Sequence, residues 1–175
     1  MDGPAPLDSA GALAAVGISL RLVEDEDFPF LRQLHRLIRW EELTPLHWPD
    51  AARIAFLDQQ FSFQHRHYSD AFAGAEFYLV RHGVEPIGRL YLDRMSRTLR
   101  LIEISVLPKW QGRGVGAALL TGLQDEARVA GLDSVDLNVL ATSPARRLYA
   151  RLGFVDSGPR EEFPGPYLAM NWPVS

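Results

Sequence analysis

Residues 108–120 read PKWQGRGVGAALL. Upstream, RTLRLIEISVL (97–107) is apolar on both faces, as a central strand covered on both sides should be. Downstream, Leu119, Leu120, Leu123, Ala127 and Ala130 fall on one side of a helix that Gly131 is placed to end. Between them stand Gly112, Gly114 and Gly116 with Arg113 among them. Inside a helix a glycine costs about 1 kcal/mol relative to alanine, so three at a helix start mark a backbone that something approaches closely. A strand–turn–helix of this kind aims successive N–H groups and the positive helix end at one point. That is an anion site, above all for phosphate.

Working outward, ISLRLV (18–23) alternates and predicts a first strand. EDEDFPFLRQLHRLIRWEEL places acidic residues before a helical stripe through Leu31, Leu34, Leu37 and Ile38. WPDAARIAFLDQQFSFQHRHYSDAF predicts a second helix with Leu57, Phe61, Tyr68 and Phe72 near one face, aromatics that read as core. AEFYLVRHG and EPIGRLYLDR form a hairpin around His82-Gly83. After the central strand and helix comes another strand, SVDLNVL. Ser143-Pro144 then starts a short helix, ARRLYARLGF, that Gly153 ends, and the tail gives a loop and a last strand. The order β-α-α-β-β-β-α-β-α-β predicts a single α/β domain around a mixed sheet.

At 175 residues the chain supports one good core. Residues 1–17 read as a flexible tail and 18–175 as the domain. A net charge of −4 argues against a dedicated nucleic-acid binder. The absence of cysteine excludes disulfides, thiolate metal sites and a cysteine nucleophile. No stretch approaches ~18 uninterrupted apolar residues and the start lacks a secretory pattern, so no membrane association and a cytoplasmic location are expected.

The turn is not a P-loop, which needs Lys-Ser/Thr where Val115, Gly116 and Ala117 stand. A dinucleotide-binding fingerprint is a closer rival: Gly112-x-Gly114-x-x-Ala117 nearly fits, with Asp133 or Asp136 about 20 residues on. Against it, only one βαβ unit is available, and the acids fall before or inside the next strand. Gln111-Gly112-Arg113-Gly114-Val115-Gly116 resembles the Gln/Arg-x-x-Gly-x-Gly/Ala motif of the GNAT superfamily of N-acetyltransferases. Ala145-Arg-Arg-Leu148-Tyr149-Ala-Arg-Leu152-Gly153-Phe154 resembles that family's A-x-x-L-Y-x-x-L-G-F helix. Both motifs occur in order, and the resemblance covers roughly residues 18–173. It implies a mostly antiparallel sheet of six to seven strands with helices on both faces, splayed beside the fourth strand.

The resemblance also implies a chemistry: an acetyl group moves from acetyl-CoA, the co-substrate, to a primary amine of a small molecule or peptide by direct attack. The N–H groups of residues 112–117, with Gln111 and Arg113, would grip the pyrophosphate. Ile104 would serve the thioester carbonyl and Val106 the pantetheine amide. Thr142 stands where the family usually has Asn, seven residues before the tyrosine, with Ser143 beside it and Ala145 opening the helix. Tyr149 matches the family's general acid, and a phenol near pKa ~10 suits a thiolate of about 8.5. Glu103, mid-strand among apolar neighbours, is either a base, directly or through water, or the ion-pair partner of Arg89 or Arg100.

The acceptor pocket would fall to residues 36–68 and 157–167. Trp40, Glu41, Glu42, Trp48, Glu161 and Glu162 there suit a cationic or aromatic amine. The five histidines lack metal-ligand spacing, so no metal is expected. Family members are often homodimers. A non-catalytic acyl-CoA-binding module on the same fold is the alternative reading.

Overall fold

The computed structural model describes Leu7, residues 11–158 and residues 165–175. Seven strands form one sheet in the order β1-β2-β3-β4-β5-β7-β6. They are β1 (Ile18–Leu22), β2 (Ala75–His82), β3 (Glu85–Arg94), β4 (Thr98–Val106), β5 (Ser134–Leu140), β6 (Val155–Gly158) and β7 (Tyr167–Pro173). β4 and β5 pair in parallel, and the other neighbours pair antiparallel. The parallel pair is joined by α4 (Val115–Val129), the crossover helix such a pair requires.

The remaining helices are α1 (Ala12–Ala15), α2 (Phe28–Arg39), α3 (Asp50–Ala71) and α5 (Ala145–Arg151). Strand alternation sorts the two faces of the sheet. Tyr78, Val80, Leu90, Leu92, Leu99 and Leu101 pack with Leu119, Leu120, Leu123 and Ala127 of α4 in the main core. Phe77, Leu79 and Tyr91 point the other way, where Leu79 packs with Leu31 of α2 and Phe61 of α3, and Tyr91 meets Phe77 and Tyr68 edge-on. α2 is tied to β1 by the Arg21–Asp27 ion pair at 2.6 Å, and that guanidinium holds the Asp27 carboxyl below the usual carboxylate range. Arg36 of α2 grips Asp58 of α3 through two nitrogens, at 2.6 and 2.5 Å.

The predicted architecture is the observed one, with three differences. The predicted tail does not stay loose where it is described: Leu7 and Leu13 are buried in the main core, and α1 packs on α4. In α2 the buried stripe runs through Leu31, Leu34 and His35 rather than Leu37, which is 46% exposed. The His35 ring is accommodated by a 2.9 Å hydrogen bond to Gln60 of α3. The chain after α5 also adds the short strand β6 before β7.

Two features of β4 position everything that follows. Its pairing with β5 runs only from Thr98↔Ser134 to Leu101↔Leu137. Beyond Leu101 the two strands part, leaving that edge of β4 without a ladder partner. Against β3 the register shifts between Tyr91↔Glu103 and Leu92↔Leu101, making Ile102 the extra residue of a β-bulge.

Candidate active site

The splay opens the sheet between β4 and β5, and two cavities meet there. The first, about 390 Å³, is lined by Ile104, Ser105 and Val106 of β4, by Trp110, Gln111, Gly112, Gly114, Val115, Gly116 and Ala117 of the turn and α4, and by Ala145, Leu148, Tyr149 and Arg151 of α5. Gly112 and Gly114 have φ of 72° and 83°, the left-handed region where a Cβ is strained. A Cβ added at either would meet nothing within 4 Å, so the space above both is open. α4 starts at Val115, and its first ladder bond is Ala118 N–H to Gly114 O at 2.9 Å. The amides of residues 115–117 therefore precede the helix ladder, and these three residues line the cavity. Such a cradle suits a phosphate-bearing ligand.

The predicted cofactor residues are brought together here, with three qualifications. Gln111 spends its side-chain amide on the Val106 carbonyl, at 3.3 Å, bracing the turn against β4. Arg113 lies over the Trp110 ring, 5.3 Å from its centroid, and the cation lining the cavity is Arg151 of α5. Thr142 lines neither cavity. Its neighbour Ser143 lines the second one and accepts the Ala145 N–H at 3.2 Å, just before α5, whose N-cap is Pro144.

The second cavity, about 360 Å³, lies on the α2/α3 side. Arg39, Gln64, His67, Tyr68, Phe72, Arg100, Glu103, Asn138, Ser143 and Tyr167 supply most of its chemistry. The bulge makes this wall. In a regular strand Arg100 and Glu103 would face opposite sides, yet both line this cavity because Ile102 shifts the alternation by one. Leu99 and Leu101 before the bulge, and Ile104 and Val106 after it, all turn to the α4 side.

Glu103 accepts the Ser105 hydroxyl at 2.7 Å and the Tyr68 hydroxyl at 3.4 Å, and its carboxylate lies 3.7 Å from Nη2 of Arg89. Of the two pairings expected for it, the structure shows Arg89. Arg89 is 1% exposed, rides on the Tyr91 ring and donates to Ser105 Oγ at 3.4 Å. Gly88 beside it permits this: a Cβ there would sit 2.3 Å from the Ser105 carbonyl oxygen.

Ile104 and Tyr149 line both cavities. Tyr149 is 7% exposed, and among the described residues its hydroxyl has no hydrogen-bond partner. Burial, with the nearby Glu103 charge adding to it, pushes the hydroxyl up to about 12, so it stays protonated. A protonated phenol at the junction of a phosphate-cradling groove and a polar pocket is placed to donate to a group that develops negative charge there.

The acceptor side departs from expectation. Trp40 lies under Arg53, Trp48 packs on Phe56, Glu42 pairs with Arg39 and Glu41 accepts from Thr44; none of them lines the cavity. Glu161 and Glu162 lie outside the described residues. Sequence reasoning missed Arg39, Gln64, Tyr68, Gly88 and Arg100. Arg39, Gln64 and Tyr68 do lie in the expected stretch 36–68, on α2 and α3, but the sequence reading does not single them out for the site; Arg100 reaches the same wall only through the bulge of β4. Among the described residues no group of three or more His, Cys, Asp and Glu could hold a metal ion, and no helix is long and apolar enough to cross a membrane.

Comparison with known proteins agrees with this geometry. A family model described as an acetyltransferase (GNAT) domain matches residues 73–156, from β2 through the glycine turn and α5. Over 67 residues the chain is 27% identical to an uncharacterized N-acetyltransferase of Bacillus subtilis, CgeE, a match spanning 38% of this chain and 26% of that protein. Among solved structures, the PaiA N-acetyltransferase of Thermoplasma acidophilum, solved with coenzyme A, superposes with a TM-score of 0.66 at 16% identity, covering 89% of this chain and 98% of that one. The ribosomal-protein-S18-alanine N-acetyltransferase of Escherichia coli superposes at 0.60 with 20% identity, covering 90% and 94%. The family model lies on the strand–turn–helix unit that builds the cradle, so residues 73–156 are those of a GNAT acetyltransferase domain by similarity, and these solved structures share the fold of the chain.

Proposed function

We propose that the protein moves an acetyl group from acetyl-CoA to a primary amine of a small molecule or peptide by direct attack within a ternary complex. One observation carries this reading. The glycine-cradled groove and the polar pocket meet at Ile104 and Tyr149, so a donor in one and an acceptor in the other would touch at a buried phenol.

Acetyl-CoA supplies an acetyl group as a thioester, whose carbonyl carbon is open to a free amine. The amides of residues 112–117 receive the pyrophosphate, with Arg151 in the cavity wall and Arg113 over the neighbouring Trp110 ring as cations. The unladdered edge of β4 at Ile104 and Val106 offers backbone groups to the thioester carbonyl and the pantetheine arm. As the amine nitrogen bonds to the carbonyl carbon, the carbonyl oxygen takes up negative charge, which an N–H at Ile104 stabilises. As the carbon–sulfur bond breaks, Tyr149 donates its proton to the departing sulfur. A phenol held at about 12 gives up that proton only as another arrives. Glu103 orients the arriving ammonium and takes one proton from it, directly or through water, to free the amine. The second proton, shed by the nitrogen after attack, replaces the one Tyr149 has given up.

The test is release of free thiol from acetyl-CoA, dependent on added amine, by the native protein and by Tyr149→Phe. The proposal expects turnover that falls at least a hundredfold in the variant, with acetyl-CoA binding kept. Binding of CoA without turnover by any amine, and indifferent to Tyr149→Phe, would instead identify a non-catalytic acyl-CoA-binding module.

A further inference from the structure

The acceptor pocket is not built for a simple cation. Among the described residues that line it Glu103 is the carboxylate, and Arg89 already faces that charge from beneath, 3.7 Å away and fully buried. Beyond this matched pair the wall carries Arg39 and Arg100. Among the described residues no ion pair involves Arg100, whose guanidinium lies over the Phe72 ring, 5.8 Å from its centroid. Among the described residues Arg39 has one ion-pair partner, Glu42, one helical turn on, at 3.3 Å, with the Glu42 side chain 60% exposed. Such a pair contributes little and yields readily to a competitor.

Two further observations point inward. Nε of Arg39 and Nε of Arg100 are both buried without a hydrogen-bond acceptor, and Oε1 of Gln64 is buried without a donor. All three side chains line the same cavity, and buried polar atoms in native proteins are ordinarily partnered. Two guanidinium forks with idle nitrogens match a carboxylate, which accepts planar, charge-assisted pairs of hydrogen bonds. The Gln64 oxygen and the Glu103 carboxylate match an N–H donor. Glu103 is also the charge that acts on Tyr149, so the amine belongs at that end and the anion at the arginine end. A cavity of about 360 Å³ lies within the usual range for small ligands, roughly 300–1,000 Å³.

We infer that the acceptor carries a carboxylate as well as its amine, an amino-acid-like molecule whose acid group Arg39 and Arg100 receive while Glu103 and Gln64 hold the nitrogen. The inference rests on the acetyltransferase reading and narrows its substrate class.

The experiment compares matched acceptors, each amino acid with its own carboxamide: β-alanine, phenylalanine and glutamine, with aminomethylphosphonate as an alternative anion. The chain and acetyl-CoA are used at about pH 9, and every kcat/KM is expressed per free amine, because an acid's amine is more basic than its carboxamide's. The expected result is a kcat/KM at least tenfold higher for an acid than for its amide, carried mainly by KM. Arg100→Gln and Arg39→Gln should each cut that acid-to-amide ratio about tenfold, and Arg100→Lys should restore part of it. Equal use of acid and amide, preference for the amide or the phosphonate, or no acid acetylated at all would overturn the inference. Thermal unfolding with acetyl-CoA, run on the same samples, separates the two levels. If acetyl-CoA stabilises the protein and the acid preference is absent, only this inference fails; if acetyl-CoA does not stabilise it, the acetyltransferase reading fails too.

Discussion

The two cavities that meet at Tyr149 are built from different materials. The groove on the α4 side is made largely of backbone: two glycines at positive φ, the first amides of α4 and the unladdered edge of β4. The pocket on the α2/α3 side is made of side chains drawn from α2, α3, β4, β5 and β7. A backbone site tolerates change in most side chains but not in the residues that set its torsions. A side-chain site can change its ligand by exchanging a few residues while the fold stays as it is. A shared donor and a variable acceptor would need just such a division.

A large effect should come from adding one carbon to the backbone side. Gly114→Ala places a Cβ at φ 83°, at a strain of roughly 1–2 kcal/mol, and puts it in the open space of the cradle. CoA affinity by titration calorimetry should fall about a hundredfold, while the fold survives. A Kd unchanged by this substitution would mean that the turn does not hold the cofactor.

Tyr149→Phe tests the junction, with kcat expected to fall roughly 10²–10⁴-fold and the acetyl-CoA Kd to stay within a few-fold. Because burial holds the hydroxyl at about 12, kcat should show no loss from tyrosine ionisation between pH 8 and 10. A falling limb in that window, absent from the Phe variant, would contradict the assignment.

Gly88→Ala probes the β3–β4 pairing behind both cavities. Its Cβ would meet the Ser105 carbonyl at 2.3 Å, pushing β4 from β3 next to the bulge. The expected cost is about 2–4 kcal/mol in denaturant unfolding. A neutral substitution would show that β3 and β4 relax apart without consequence.

The smallest effect is a pH dependence beneath the same pocket. Burial lowers His35 from 6.5 to about 4, against its hydrogen bond to Gln60, and the Arg89 and Arg39 charges lower it further while Glu103 opposes them. As pH falls through this window the unfolded chain takes up the proton first, so stability is full above about 6.5 and declines toward 4. His35→Gln should flatten that decline in urea unfolding midpoints measured from pH 7 to 4.

The backbone side was legible in the sequence for a physical reason. Torsions that need glycine leave glycines, so Gly112 and Gly114 announce the turn, and the pattern around Tyr149 announces the helix that meets it. The acceptor side left no such mark. Trp40, Glu41, Glu42 and Trp48 looked suitable by type, but they pair or stack with neighbours and do not line the cavity. Arg100 and Glu103 share a wall only because Ile102 bulges, and nothing in RTLRLIEISVL signals that extra residue. His35 took the place of Leu37 in the buried stripe because Gln60, 25 residues on, partners its ring.

The most direct test is thermal unfolding of the native protein with acetyl-CoA, CoA, NAD and ATP, each at the same high concentration. A ligand at ~100 times its dissociation constant adds about 2.7 kcal/mol, which in a domain of this size raises Tm by roughly 5–11 °C. The account predicts that rise with acetyl-CoA and with CoA, and none with NAD. A rise with NAD alone would contradict it.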